Sequence, residues 1–145
     1  MTAAARPTRS KTAAAWLALV GGSLGLHRFY LYGASDLLAW LHPWPTLAGA
    51  YGFWRMREFG VDDTTGAALV PLLGAMMAAT MLSAIVYGLT TDARWAERHG
   101  GLDPVPTSRS AWPAITAVVL ALAGGATITM ATIAFTAQRY FEARV

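Results

Sequence analysis

Two long stretches of the sequence contain no charged side chain. No Asp, Glu, Lys or Arg occurs between Thr64 and Thr91, or between Ser110 and Gln138. A helix needs roughly 20 apolar residues to cross a hydrocarbon core of about 30 Å. The pattern therefore predicts two membrane-spanning helices, at about 67–90 and 112–137.

The ends of these two helices carry residues that favour helix termini. Before the first helix, carboxylates and hydroxyls can cap free backbone N–H groups, and a proline is tolerated in a first turn. For the first helix these residues are Asp62, Asp63, Thr64, Thr65 and Pro71, and for the second they are Ser110 and Pro113. Arg139 suits the C-terminal end of the second helix.

The first half of the chain is less regular. The apolar run from Thr12 to Leu26 is long enough to span only if the helix continues through Leu31, with Arg28 extending to the headgroups. A cleaved signal peptide is the alternative for this run, but we favour a retained helix because apolar and aromatic residues follow directly. The run 37–54 contains Pro43 and Pro45, which predict a kinked span, with a re-entrant or surface segment as the alternative.

These segments predict an all-α integral membrane protein with about four transmembrane helices in two hairpins. We expect a disordered cytoplasmic arm over 1–11, a first hairpin over 12–60 and a second hairpin over 61–145, with a short loop at 92–110. Composition agrees, because 55% of the 145 residues are hydrophobic and only 13% are charged, against about 25% in a soluble domain. We find no convincing internal repeat.

Basic residues predict the orientation of this four-span arrangement. In that arrangement, one side of the membrane carries seven basic residues: Arg6, Arg9, Lys11, Arg55, Arg57, Arg139 and Arg144. The other side carries four: Arg28, Arg94, Arg98 and Arg109. The positive-inside rule therefore predicts both termini in the cytoplasm. We expect the membrane to be a bacterial inner membrane. The net charge of +3 comes from these flanks, which favours contact with lipid and not with nucleic acid.

The segment 11–33 carries a motif. Its residues Gly25, His27, Arg28, Phe29, Tyr30 and Leu31 form G-x-H-R-F-Y-L at the end of a lysine-led apolar run. This segment resembles the TM2 domain family, in which a second helix ends near a Trp and an acid. Trp54 and Glu58 stand in those positions, although Tyr32 intrudes before Gly33 and the acid is Glu. The resemblance covers about residues 10–60 and implies a multi-pass membrane protein without a settled activity.

Arg28 is the most distinctive polar residue of this motif. It could anchor the helix end in the headgroups, form an ion pair with Asp36 across the connection 31–35, or bind a partner or an anionic lipid. Phe29 and Tyr30 are expected to be interfacial aromatics, although they could frame a partner groove.

Two histidines, His27 and His42, could lie near the same membrane face. A haem or zinc site is conceivable there, with Asp36 as a further ligand, but the spacing matches no established ligand pattern. We therefore predict interfacial hydrogen-bonding histidines, no metal and no cofactor.

Small residues at helical spacing predict close helix packing. These are Gly21 and Gly25 in the first segment, and Ala117, Ala121 and Gly125 in the last helix. Packing inside the bundle is one use of these rows, and contact with a homo-oligomer or another protein is the other.

The residues that catalysis needs are missing from the spans. The last two spans contain no ionisable residue, Ser83 has no histidine in its own span, and the chain has no cysteine. We therefore expect a non-catalytic accessory or scaffold protein that acts by contact with a membrane partner. A small oligomeric transport or channel component is the alternative.

Overall fold

The computed structural model describes residues 9–99 and 111–144. Over these residues the chain forms helices joined by short turns, without a β-strand. The seven α-helices are α1 (Lys11–Gly21), α2 (Leu26–Tyr32), α3 (Leu37–Leu41), α4 (Pro43–Phe59), α5 (Thr64–Leu89), α6 (Asp92–His99) and α7 (Trp112–Glu142). A 3-10 turn, Gly22–Leu24, separates α1 from α2.

The two long apolar helices are confirmed. α5 has 26 residues and α7 has 31, and both are long and apolar enough to cross a membrane. They run antiparallel, because Gly88 faces Val118 while Gly74 faces Thr132 further along the pair. Large apolar side chains on both helices remain exposed, as expected for helices surrounded by lipid.

The residues predicted for the ends of these two helices are confirmed in part. Asp63 caps α5, with its carboxylate accepting a hydrogen bond from the N–H of Gly66 at 2.6 Å. Because α5 begins at Thr64, Pro71 lies inside the helix, and its predicted place in the first turn is wrong. Pro113 does lie in the first turn of α7, whereas Ser110 is outside the described residues.

The predicted continuous helix over 12–31 is wrong. α1 ends at Gly21, and Gly25 adopts a left-handed conformation with φ of 80°. α2 then runs back along α1, because the N–H of Ser10 donates to the hydroxyl of Tyr30 at 2.9 Å. Glycine tolerates this backbone conformation at no steric cost, which allows the reversal.

The predicted interruption at the two prolines is present. α3 ends at Leu41 and α4 begins at Pro43, while His42 between them keeps helical dihedral angles. Both Pro43 and Pro45 therefore lie in the first turn of α4, where a missing N–H costs little. The helix is interrupted here, but the chain does not reverse.

These helices place the two ends of the described chain at opposite ends of the bundle. The Nζ atom of Lys11 lies 3.1 Å from the carbonyl of Thr90, at the end of α5. The indole of Trp16 donates to Pro113, at the start of α7. We call this the Lys11 end. At the other end, the Arg139 end, the side chain of Arg139 donates to the carbonyl of Val61.

Three passes along the bundle result, through α3–α4, α5 and α7. The predicted loop over 92–110 contains α6, whose Trp95 is buried, while residues 100–110 lie outside the described residues. Most of the predicted arm over 1–11 also lies outside them. Its residue Arg9 is held at the Lys11 end, because its carbonyl accepts from the indole of Trp95 at 2.6 Å.

Candidate functional site

The charged residue of the motif, Arg28, is paired. Its Nε lies 2.7 Å from Oδ2 of Asp36, and its Nη2 lies 3.3 Å from Oδ1. The guanidinium also lies over the ring of Tyr32, 5.0 Å from the ring centroid. This two-point ion pair, one of the three roles considered for Arg28, fixes α2 against the start of α3. The hydrogen bond from Arg28 holds the pKa of Asp36 below its ordinary value.

The two aromatic residues of the motif also have partners within the chain. The ring of Phe29 packs edge-on against Trp40, with centroids 5.1 Å apart. The hydroxyl of Tyr30 accepts from Ser10, and its ring lies beneath the guanidinium of Arg9. The motif side chains therefore hold the hairpin and the α2–α3 corner together.

The same corner occurs a second time, between α4 and α5. The guanidinium of Arg55 contacts both carboxylate oxygens of Asp63, at 2.9 and 2.8 Å, and lies over the ring of Phe59. Gly60, with φ of 95°, ends α4 here.

Both corners share one sequence pattern. Residues 28–36 and 55–63 each contain an arginine, then an aromatic residue four positions later, then a glycine, and an aspartate eight positions after the arginine. The glycine has positive φ in both copies. We call residues 28–36 the first corner and residues 55–63 the second corner. This short repeat was missed from the sequence, although the spacing R-x(4)-G-x(2)-D is visible there.

Asp63 of the second corner serves two helices at once. It pairs with Arg55 of α4, and it caps α5 through the N–H of Gly66. The hydrogen bond from Arg55, together with that from Gly66, lowers the pKa of Asp63 to about 2. The carboxylate is therefore ionised at every physiological pH, so its ion pair with Arg55 carries both charges over that range.

The two histidines named from the sequence meet beside the hairpin turn. The ring of His27 is buried, and it lies 5.5 Å from the ring of His42 and 5.9 Å from that of Tyr87. The Nδ1 atom of His27 has no hydrogen-bond partner among the described residues. The Nδ1 atom of His42 lies 2.6 Å from the carbonyl of Leu38.

Gly21 and Gly25 both pack closely against other residues of the same chain. A side chain at Gly21 would collide with Leu26 of the returning helix. A Cβ atom at Gly25 would lie 2.5 Å from the carbonyl oxygen of Ala39. These two residues therefore face α2 and α3, and neither offers a surface to a second chain.

The small residues of α7 line its contact with the rest of the bundle. Ala117, Ala121 and Gly125 are buried. Ala121 packs with Ala18 of α1 and Ala84 of α5, so three helices approach closely at this level.

Closer packing occurs between α4 and α5, where sequence reasoning named no residue. A Cβ atom at Gly52 would lie 2.6 Å from Cβ of Leu69 and 2.9 Å from the carbonyl of Gly66. Gly49 makes a similar backbone approach to Leu73. The spacing of Gly49 and Gly52 on one helix face was the available signal.

Comparisons with known proteins give no relative for this chain. No protein-family model, no curated protein and no solved structure matches it. The resemblance of residues 10–60 to the TM2 domain family therefore stays a prediction from the motif.

Proposed function

We propose that the chain is an integral membrane protein that crosses the bilayer three times, through α3–α4, α5 and α7. The uncharged residues 37–54 extend about 27 Å at 1.5 Å per residue, close to the thickness of a core of about 30 Å. In this arrangement α1 and α2 form a re-entrant hairpin, which enters from the Lys11 end and returns to it. The α1 helix, about 16 Å long, reaches about halfway across.

The polar contacts of the hairpin turn support this proposal. Irregular backbone is tolerated at membrane depth only where protein covers it. The carbonyl of Ser23, within the turn, accepts a hydrogen bond from the hydroxyl of Thr46 at 2.6 Å. Gly22 packs against Thr80 of α5, and both residues are buried.

Basic residues favour the Lys11 end as the cytoplasmic one. Among the described residues, Arg9, Lys11, Arg28, Arg94 and Arg98 belong to this end, whereas Arg55, Arg57, Arg139 and Arg144 belong to the other. The larger number supports a cytoplasmic Lys11 end, with residue 144 on the opposite side. This proposal replaces the expectation of two cytoplasmic termini.

Cysteine labelling tests this topology, because the chain contains no cysteine of its own. We expect Arg9→Cys and Ser35→Cys to react with a membrane-impermeant maleimide only after the cells are permeabilised. Asp62→Cys should react in intact cells. The four-span arrangement requires residues 9 and 62 on one side and residue 35 on the other, so labelling in that pattern would reject the re-entrant hairpin.

We further propose a non-catalytic accessory role of the TM2 domain type, in which α4 binds another membrane protein. One observation carries this proposal: Trp44 is 72% exposed although it lies deep along the bundle. Its neighbour Thr46 contacts the hairpin turn, which packs at the level of Thr80 within α5. Tryptophan favours the membrane interface, and its N–H seeks a polar partner in apolar surroundings. A protein partner at this depth would supply one.

The exposed face of α4 extends beyond this one residue. Leu47, Tyr51 and Trp54 are also exposed, and they follow Trp44 at helical spacing. The motif residues Arg28, Phe29 and Tyr30 already have partners within the chain. The proposed contact surface is therefore the exposed face of α4 and not the motif.

Photo-crosslinking from position 44 tests the accessory role. A photoreactive amino acid in place of Trp44 is expected to give a discrete protein adduct in native membranes. The control is the same substitution at Met130 of α7, which is also 72% exposed, and it should label lipid only. An adduct of twice the chain mass would identify the partner as a second copy. Lipid adducts alone at both positions would contradict the proposed contact.

A further inference from the structure

The buried histidine beside the hairpin turn has an unsatisfied polar atom. His27 is 2% exposed, and its Nδ1 atom has no partner among the described residues. A buried polar atom without a hydrogen bond is unfavourable, so such atoms are rare unless water, an ion or a function accounts for them. The neighbouring ring of His42 indicates what could satisfy this nitrogen.

His42 is oriented as metal-binding histidines commonly are. Its Nδ1 atom lies 2.6 Å from the carbonyl of Leu38, and a carbonyl only accepts, so this nitrogen carries the proton. The other nitrogen, Nε2, then keeps its lone pair. Metal-bound histidines usually donate their second ring N–H to a carbonyl or a carboxylate in this way.

The separation of the two rings fits a shared ion. With metal–nitrogen bonds of about 2.0–2.1 Å, two imidazoles on one tetrahedral ion have centroids about 5–5.5 Å apart. The centroids of His27 and His42 are 5.5 Å apart, with ring planes inclined at 71°. The positive charge of Arg28 next to His27 is balanced by Asp36, so the surroundings do not repel a cation strongly.

We propose that His27 and His42 form a binding site for a single transition-metal ion of the kind that imidazole prefers, zinc or copper. Among the described residues, no group of three or more His, Cys, Asp or Glu side chains comes together. The protein therefore supplies two nitrogen ligands, and water or an external ligand completes the coordination. Such an ion would tie the returning helix α2 to the α3–α4 junction.

Metal titration of the full-length protein tests this site. The protein is purified in detergent with a tag that lacks histidine, and it is titrated with Zn²⁺ and, separately, with Cu⁺ against a competing chromophoric chelator. We expect one ion per chain for one of the two metals. His27→Ala and His42→Ala should each weaken binding by about ten-fold or more, since loss of an outer contact alone costs about 10–100-fold.

His99→Ala is the matched control, because this third histidine packs on Trp95, with centroids 4.6 Å apart, on α6. It should bind metal as the wild type does. The bound ion should also raise the Tm of the wild type and of His99→Ala, but not that of His42→Ala, whose folding is checked by circular dichroism. The proposal fails if the wild type binds no more tightly than the His27→Ala/His42→Ala double variant, or if His99→Ala loses binding equally.

Discussion

Gly25→Ala is expected to destabilise the protein by several kcal/mol. A residue other than glycine in the left-handed region costs about 1–2 kcal/mol, and Gly25 has φ of 80°. The new methyl group would also lie 2.5 Å from the carbonyl oxygen of Ala39 and 3.2 Å from Cβ of His42. Because the first of these neighbours is backbone, α3 must move away, and overpacking of this kind adds about 1–3 kcal/mol. The free energy of unfolding in mixed detergent micelles measures the loss.

Gly33→Ala is the comparison in which no neighbour is crowded. Gly33 also has positive φ, 82°, but its ψ of −176° is extended, and no atom lies within 4 Å of the position that a Cβ atom would take there. This variant should therefore lose only the cost of its own backbone conformation, about 1–3 kcal/mol, without overpacking. For Gly25→Ala, a loss no larger than the left-handed cost of about 1–2 kcal/mol would mean that the hairpin turn does not pack against α3.

The long helices could be predicted because their signal is local. The run without charge from Thr64 to Thr91 is long and apolar enough for a membrane-crossing helix, and this can be read without knowing the rest of the chain. No local signal shows whether the first apolar run continues as one straight helix or turns back on itself. Residues 12–31 have the same hydropathy whether they form one straight helix or a hairpin. What permits the hairpin is remote in sequence: the hydroxyl of Thr46 satisfies the carbonyl of Ser23.

The contacts of the candidate site could likewise be predicted only in part. The pairing of Arg28 with Asp36 could be considered from the sequence because a short connection joins them. The equivalent pairing of Arg55 with Asp63 was missed, since each residue already had another explanation: Arg55 as a topology signal, Asp63 as a helix cap. The approach of His27 to His42 could also be considered from the sequence, whereas the reversal of the chain at Gly25 could not.

Asp63→Ala is the second variant with a large expected effect. It removes both hydrogen bonds from Arg55, leaves that guanidinium without its carboxylate and takes the cap from α5. We expect the Tm to fall by several degrees. Asp62→Ala is the control, because the adjacent side chain is 100% exposed and, among the described residues, pairs only with Arg139, at 4.0 Å. A similar fall in both variants would mean that the second corner contributes no specific stability.

The pH dependence of the second corner distinguishes its ion pair from its helix cap. Asp63→Asn keeps a side chain that can cap α5 but carries no charge. The pKa of Asp63 is lowered to about 2 in the folded protein, by the hydrogen bond from Arg55 first, against an ordinary value of about 3.9. A lowered pKa contributes stability above the ordinary value, and that contribution is lost as the pH falls through the folded value. The difference in Tm between the wild type and Asp63→Asn should therefore stay constant from neutral pH to about 4 and shrink between about pH 4 and 2. A difference that disappears by pH 5, or that persists unchanged at pH 2, would show that Arg55 does not hold Asp63 ionised.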